Sequence, residues 1–162
     1  MCDCGLIRKV YRVTTPKVPL KFYEDLKVFK LYLCDVGLLS RLSELDVEDV
    51  LLGNKLFVEF KGALTENYVC QEFSAMDDFK FDYYTNERSK SEIDFIAKIG
   101  KGIVPIEVKA EINLQAKSLT VYNQKHNPEK LCRVSMADYK VTGNLYDIPL
   151  YAIGEIKEIL GK

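Results

Sequence analysis

The chain of 162 residues has one histidine, no CxxC pair among its five cysteines, a net charge of only −1, and no long apolar run. Each shortage removes a class of function. Serine- or cysteine-based triads would have to use His126, and no nucleophile is placed beside it in the polar stretch NQKHNPEK. His126 therefore reads as a solvent-exposed loop residue. Cys2 and Cys4 are close in sequence, but two thiolates without further clustered ligands make a poor zinc site. Together with Cys34, Cys70 and Cys132 they read as reduced, mostly buried thiols. A net charge of −1 and a pI near 5.9 give no global basic field to draw the chain onto nucleic acid or an anionic membrane. No apolar stretch reaches membrane-spanning length, and MCDCGLIRKVYRV lacks the apolar core of a signal peptide. A cytoplasmic protein with no membrane partner is expected.

What is present suits one soluble domain. The hydrophobic fraction is 48% and the charged fraction 29%, the proportions of an ordinary globular chain. This length buries a core without disulfide staples. LIRKVYRV alternates apolar and polar residues before the proline-bearing stretch TTPKVPL. A strand is expected around Phe29–Leu33 and a helix from about Asp35, with a second short helix in SELDVEDVLLG. Leu56, Phe60, Leu64, Val69 and Phe73 recur at helical spacing and predict a long helix from about Lys55 to Met76. Strands follow in FDYYT, in the hairpin from Ser91 to Lys109 and in KLCRVSM, with a helix in LQAKSLTVYNQKH and a last strand and helix in IPLYAIGEIKEILGK. The tyrosines of FDYYT and VYN read as core. No repeat or low-complexity tract interrupts the pattern. The expected class is α/β or α+β, a mixed central sheet flanked by helices.

One stretch conflicts with a purely structural reading. SEIDFIAKIGKGIVPIEVKA forms two apolar strands around a glycine-bounded turn, yet it carries Glu92, Asp94, Glu107 and Lys109 within those strands. Unpartnered charges in a buried sheet are costly. A tight turn centred on Gly100–Lys101 sets Asp94 opposite Glu107 and Glu92 opposite Lys109, all on one face. Opposed residues lie about 4.5–5.5 Å apart at Cβ, where two carboxylates repel unless something positive lies between them. A divalent cation of the hard, oxygen-seeking kind, Mg²⁺ or Mn²⁺, fits that need. Glu66 is a third candidate carboxylate, because Gly62, Cys70 and Phe73 make its helix face small and apolar. The competing reading is a Glu92–Lys109 cross-strand ion pair, with Asp94 and Glu107 simply solvated. Pro105 cannot donate to a ladder, so a bulge near it would shift this register.

Three stretches, GALTENYV, SEIDFI and PIEVKA in that order, resemble the carboxy-terminal domain of unknown function of many bacterial and archaeal AAA+-type ATPases. That domain is similar to the PD-(D/E)xK nuclease superfamily, whose fold is restriction-endonuclease-like. The resemblance continues through FKLYLCDVGLL upstream and through KSL and RVSM downstream, from roughly Lys27 to Ile156. It implies that residues 27–162 form a nuclease-like domain. It also implies that residues 1–26, with GLIRKVYRVTTPKVPL, are the remnant of a winged-helix segment and linker, in a fragment or a shortened relative. The chain has no GxxxxGK[ST] loop, so ATPase chemistry of that type belongs to a module outside it.

By the same resemblance Asp94 matches the motif aspartate, Glu107 the following acidic position, Lys109 the motif lysine, and Glu66 the helix glutamate that completes the metal site. Ile93 stands where the superfamily name has proline. The implied activity is phosphodiester hydrolysis of DNA with Mg²⁺ or Mn²⁺ held by Glu66, Asp94 and Glu107, and with Lys109 at the attacking water. Arg88, Lys90 and Lys117 are candidate phosphate contacts, for which ordinary surface charge is the competing reading. The rival to catalysis is a silent module that binds a partner or helps the ATPase assemble. The near-neutral net charge favours that rival, since a domain that grips DNA usually shows a basic surface.

Overall fold

The computed structural model describes residues 4–45, 48, 55–86, 91–111 and 117–161. Its centre is one sheet of eight strands. In chain order they are β1 (Ile7–Val13), β2 (Glu24–Leu33), β3 (Phe81–Asn86), β4 (Ser91–Ile99), β5 (Gly102–Val108), β6 (Leu131–Ser135), β7 (Lys140–Thr142) and β8 (Leu145–Pro149). Their spatial order is β2-β1-β3-β4-β5-β6-β8-β7. The pairs β1–β3, β5–β6 and β6–β8 are parallel and the remaining neighbours antiparallel. Among the described residues four α-helices flank it: α1 (Val36–Leu42), α2 (Lys55–Ala75), α3 (Lys117–His126) and α4 (Ile156–Gly161). Short 3₁₀ turns at Leu20–Tyr23 and Leu150–Glu155 complete the chain. This is an α+β fold, as the order of elements in the sequence predicts. The expected short helix in SELDVEDVLLG lies for the most part outside the described residues.

The two faces of the sheet bury separate apolar layers. On the α2 side Val69, Cys70 and Phe73 pack against Phe81, Phe95, Ala97, Ile106, Val108 and Val134, closed off by Ile153, Ile156 and Leu160. On the α3 side Leu119 and Tyr122 cover Val13, Tyr84, Ile93, Ile96 and Leu131. Tyr83, Tyr84 and Tyr122 are buried, as expected of core tyrosines. Asp35 opens α1 by accepting the backbone N–H of Leu38 at 2.8 Å, the role for which N-caps favour aspartate.

β4 and β5 form the hairpin the sequence predicts. Gly100 turns with φ +60°, a conformation that costs glycine little, and pairing runs unbroken from Ile99↔Gly102 to Phe95↔Ile106. Pro105 pairs with Ile96 and causes no shift, and the ladder to β6 begins only at Ile106. The irregularity sits elsewhere, between β4 and β3. Asp82 pairs with Ile96 and Tyr84 with Ile93, so β4 spends one residue more than β3 over the same step. Such a bulge turns the side chains beyond it to the opposite face. Ile93 and Ile96, three positions apart, accordingly share the α3-side layer, while Phe95 and Ala97 lie in the other.

Candidate active site

Past Phe95 and Ile106 the two hairpin strands part, and the charged residues gather in that opening. Asp94 Oδ2 accepts the backbone N–H of Val108 at 2.7 Å, taking the place of a ladder partner. One residue on, the N–H of Lys109 donates to Val134 O at 2.8 Å, so β5 here follows β6 instead of β4. Lys109 Nζ lies 2.8 Å from Glu107 Oε1. Glu107 is only 4% exposed, and its second oxygen, Oε2, is buried without a hydrogen-bond partner. A buried carboxylate oxygen left unpaired is an expensive feature.

The bulge and the parting strands change one sequence-level pairing. Glu92 does not meet Lys109. It is turned to the α2 face, where Lys30 Nζ stands 2.6 Å from Glu92 Oε1. The same ammonium lies 3.5 Å from Glu66 Oε2, which also accepts the Tyr32 hydroxyl at 3.1 Å. The simple cross-strand reading therefore fails on both counts: Glu92 and Lys109 have other partners, and Glu107 is buried instead of solvated. Glu66 reaches the α2 face of the sheet, but against the polar ends of Lys30 and Tyr32 and not in an apolar setting.

The electrostatics reflect burial first and crowding of like charge second. Burial, then Glu107 and Glu66, push the Asp94 carboxyl up to about 7, against the backbone bond from Val108 and the charge of Lys30. Burial raises Glu107 as well, and the bond and charge of Lys109 only partly offset it. For the two lysines burial works against the charged form, but the carboxylates outweigh it. Glu66 and Glu92 hold Lys30 above the ordinary lysine value, and Glu107, with Asp94 and Glu66, does the same for Lys109. Buried acidic groups driven toward neutrality beside two cations held charged describe a tightly coupled, partly desolvated cluster of opposite charges.

The donors fit a hard divalent cation: carboxylate oxygens, one of them buried and unpaired, in a place where Lys30 and Lys109 leave the carboxylates only partly neutralised. Among the described residues, no three groups of metal-ligating type already stand together as a cation site. Glu66 is engaged by Lys30 and Tyr32. Of the candidate phosphate contacts, Lys117 is exposed at the first turn of α3, and Arg88 and Lys90 lie outside the described residues.

Sequence reasoning missed Lys30 and Tyr32, which reach the site from β2. Their alternation along KLYL gives the one clue, since Lys30 and Tyr32 share a strand face. It also misplaced His126, which closes α3, takes a 3.0 Å hydrogen bond with the Tyr84 hydroxyl and packs against the tilted ring of Tyr122 at 4.6 Å between ring centres. Burial and the neighbouring Lys125 lower its pKa. Two of the cysteines, Cys4 and Cys34, are exposed, whereas Cys70 and Cys132 are buried, and burial pushes the Cys70 thiol up to about 11. No described helix is long and apolar enough to cross a membrane.

A family model described as "Domain of unknown function (DUF4143)" matches residues 61–153. The match takes in Glu66, Asp94, Glu107 and Lys109 and leaves Lys30 and Tyr32 outside it. No curated protein and no solved structure matches the chain.

Proposed function

The chain belongs to the DUF4143 family, a description that assigns no chemistry, and we propose that its site is that of a metal-dependent phosphodiesterase of the PD-(D/E)xK type acting on DNA. One observation carries the reading. Asp94, Glu107 and Lys109 converge where β4 and β5 part, with Glu107 Oε2 buried and unpaired.

In this reading Asp94, Glu107 and Glu66 hold Mg²⁺ or Mn²⁺. When bound, the ion lowers the pKa of a water and offsets charge on the scissile phosphate. The remaining tasks fall to the chain. Glu107 and Asp94 stay in place because each is anchored, one by Lys109 and the other by the Val108 amide. Lys109, kept protonated by its carboxylate neighbours, orients the attacking water and faces the negative charge that grows on the phosphate. The strand ends place these groups on a rigid frame, which limits the reorganisation needed at reaction. Work on DNA under the direction of an AAA+-type ATPase module is part of the proposal, resting on sequence resemblance.

Metal-dependent cleavage is the direct test. Plasmid and single-stranded DNA are incubated with Mg²⁺ and then Mn²⁺, using wild type, Asp94→Asn and Lys109→Ala. Cleavage by wild type that both variants lose supports the assignment. Equal activity in all three traces it to a contaminant and removes the site.

A second reading, a catalytically silent module that binds a partner, has its own support at the sheet edge. β2 is an outer strand, and it and the turn before it expose Phe22 (84%), Leu26 (66%) and Leu31 (56%). Exposed apolar residues clustered on one edge mark interaction surfaces. If no metal ion binds and no DNA is cut, this reading stands ahead.

A further inference from the structure

Lys30 lies outside the matched family region and far in sequence from the motif strands, yet it is the cation that the Glu66–Glu92 side of the site depends on. Its ammonium bridges Glu92 Oε1 at 2.6 Å and Glu66 Oε2 at 3.5 Å. It also lies over the Tyr83 ring, 5.3 Å from the ring centre. Lys109 is occupied by Glu107 at 2.8 Å. Among the described residues, four carboxylates, Glu66, Glu92, Asp94 and Glu107, thus share two ammonium groups.

An ammonium and a hard divalent ion compete for the same carboxylate oxygens. An ion drawing on Glu66 and Asp94 cannot share Glu66 Oε2 with Lys30 without placing like charges a few ångströms apart. At that distance repulsion remains appreciable even near a protein surface. Lys30 has somewhere to go, because its strand is the sheet edge and its long stem is flexible.

We propose that Lys30 is a built-in counter-ion, which holds Glu66 and Glu92 in the metal-free protein and gives way when a divalent cation binds; the inference rests on the metal-site reading above. Lys30 then acts as a positioning residue that keeps the acidic cluster assembled at low metal and sets the concentration at which the site loads. A lysine that only tied β2 to α2 would leave that concentration unchanged.

Titration calorimetry of the chelator-stripped full chain with Mn²⁺ alone tests this, on wild type, Lys30→Gln and Asp94→Asn. Lys30→Gln is expected to bind Mn²⁺ at least tenfold more tightly than wild type, while Asp94→Asn loses binding. Equal or weaker binding by Lys30→Gln, with wild type still binding, overturns the role of Lys30 and leaves the metal site standing. No binding by wild type or by Lys30→Gln overturns both. Thermal unfolding supplies the folding control. In chelator Lys30→Gln should melt below wild type, and Mn²⁺ should raise its midpoint by more than it raises that of wild type. Should Lys30→Gln fail to fold under either condition, Lys30→Arg decides. It keeps the charge and must bind Mn²⁺ no more tightly than wild type, and tighter binding overturns the proposal.

Discussion

Asp94 Oδ2 receives the Val108 amide at 2.7 Å, a side-chain bond set where the backbone ladder of the hairpin ends. The carboxyl pays for this position in charge, since burial and Glu107 press it toward neutrality. An amide in its place keeps an acceptor for Val108 and removes the charge. In chelator at pH 8, Asp94→Asn is therefore expected to be more stable than wild type by about 1 kcal/mol. With saturating Mn²⁺ the order reverses, because a ligand that binds only the folded state stabilises it through mass action. Urea unfolding with and without Mn²⁺ measures both signs. A variant that is less stable in chelator and gains as much from Mn²⁺ as wild type would remove Asp94 from any metal site.

Asp82 offers a pH test away from the site. It is buried on β3, and burial, followed by Glu24, pushes its carboxyl up to about 7, against a bond from the Tyr11 amide and the charge of Arg8. The unfolded value is near 3.8, so the folded state holds a proton that the unfolded chain gives up. That contribution to stability is complete below about pH 4 and is lost as pH rises through 7. Asp82→Asn should match wild type at pH 4 and exceed it at pH 8 by on the order of 2 kcal/mol. Paired urea titrations at the two pH values decide it, and a gain of equal size at both would place the effect in packing instead of protonation.

Phe73 is the keystone of the α2-side layer. Its ring lies 4.9 Å from that of Phe79, 5.3 Å from Phe81 and 5.5 Å from Phe95, each in edge-on contact. Phe73→Ala should cost about 3–5 kcal/mol and Phe73→Leu roughly half of that, the shortfall measuring lost ring contacts over lost volume. Chemical denaturation followed by far-UV circular dichroism measures the two losses. A cost below about 1 kcal/mol for the alanine variant would mean the layer closes over the gap.

Much of this architecture is legible in local pattern. Helical spacing from Leu56 to Phe73 marks α2, and Gly100 between apolar strands fixes the hairpin and its register from Ile99 to Phe95. The motif residues fall at the end of that hairpin for the same reason. What the pattern hides are events between distant segments. The extra residue of β4 against β3 leaves no turn signal in SEIDFI, yet it redirects Glu92 from Lys109 to Lys30. Lys30 and Tyr32 reach Glu66 only because β2 is the sheet edge beside α2, a placement set by topology. β7 is three exposed residues, Lys140–Thr142, too short and too polar to register as a strand on its own. His126 sits in a polar stretch, but a helix end turns it toward Tyr84 and Tyr122.

Arg133 and Asp147 face each other across β6 and β8, with Nε of the arginine donating to Oδ1 at 2.7 Å. Asp147 is 3% exposed, so its charge has been drawn fully from water and the pair recovers that cost only while both partners remain. Removing one partner leaves the other charge in a nearly dry place. Asp147→Ala is therefore expected to destabilise by about 3 kcal/mol, more than the side-chain volume lost accounts for. Replacing both residues by apolar ones of similar size, Arg133→Met with Asp147→Leu, should recover most of that loss, because no buried charge then lacks its cross-strand counter-charge. The comparison needs all three variants in one set of urea titrations. If the double variant is as unstable as Asp147→Ala, the pair does more than neutralise itself, and the other contacts of Arg133 carry the difference.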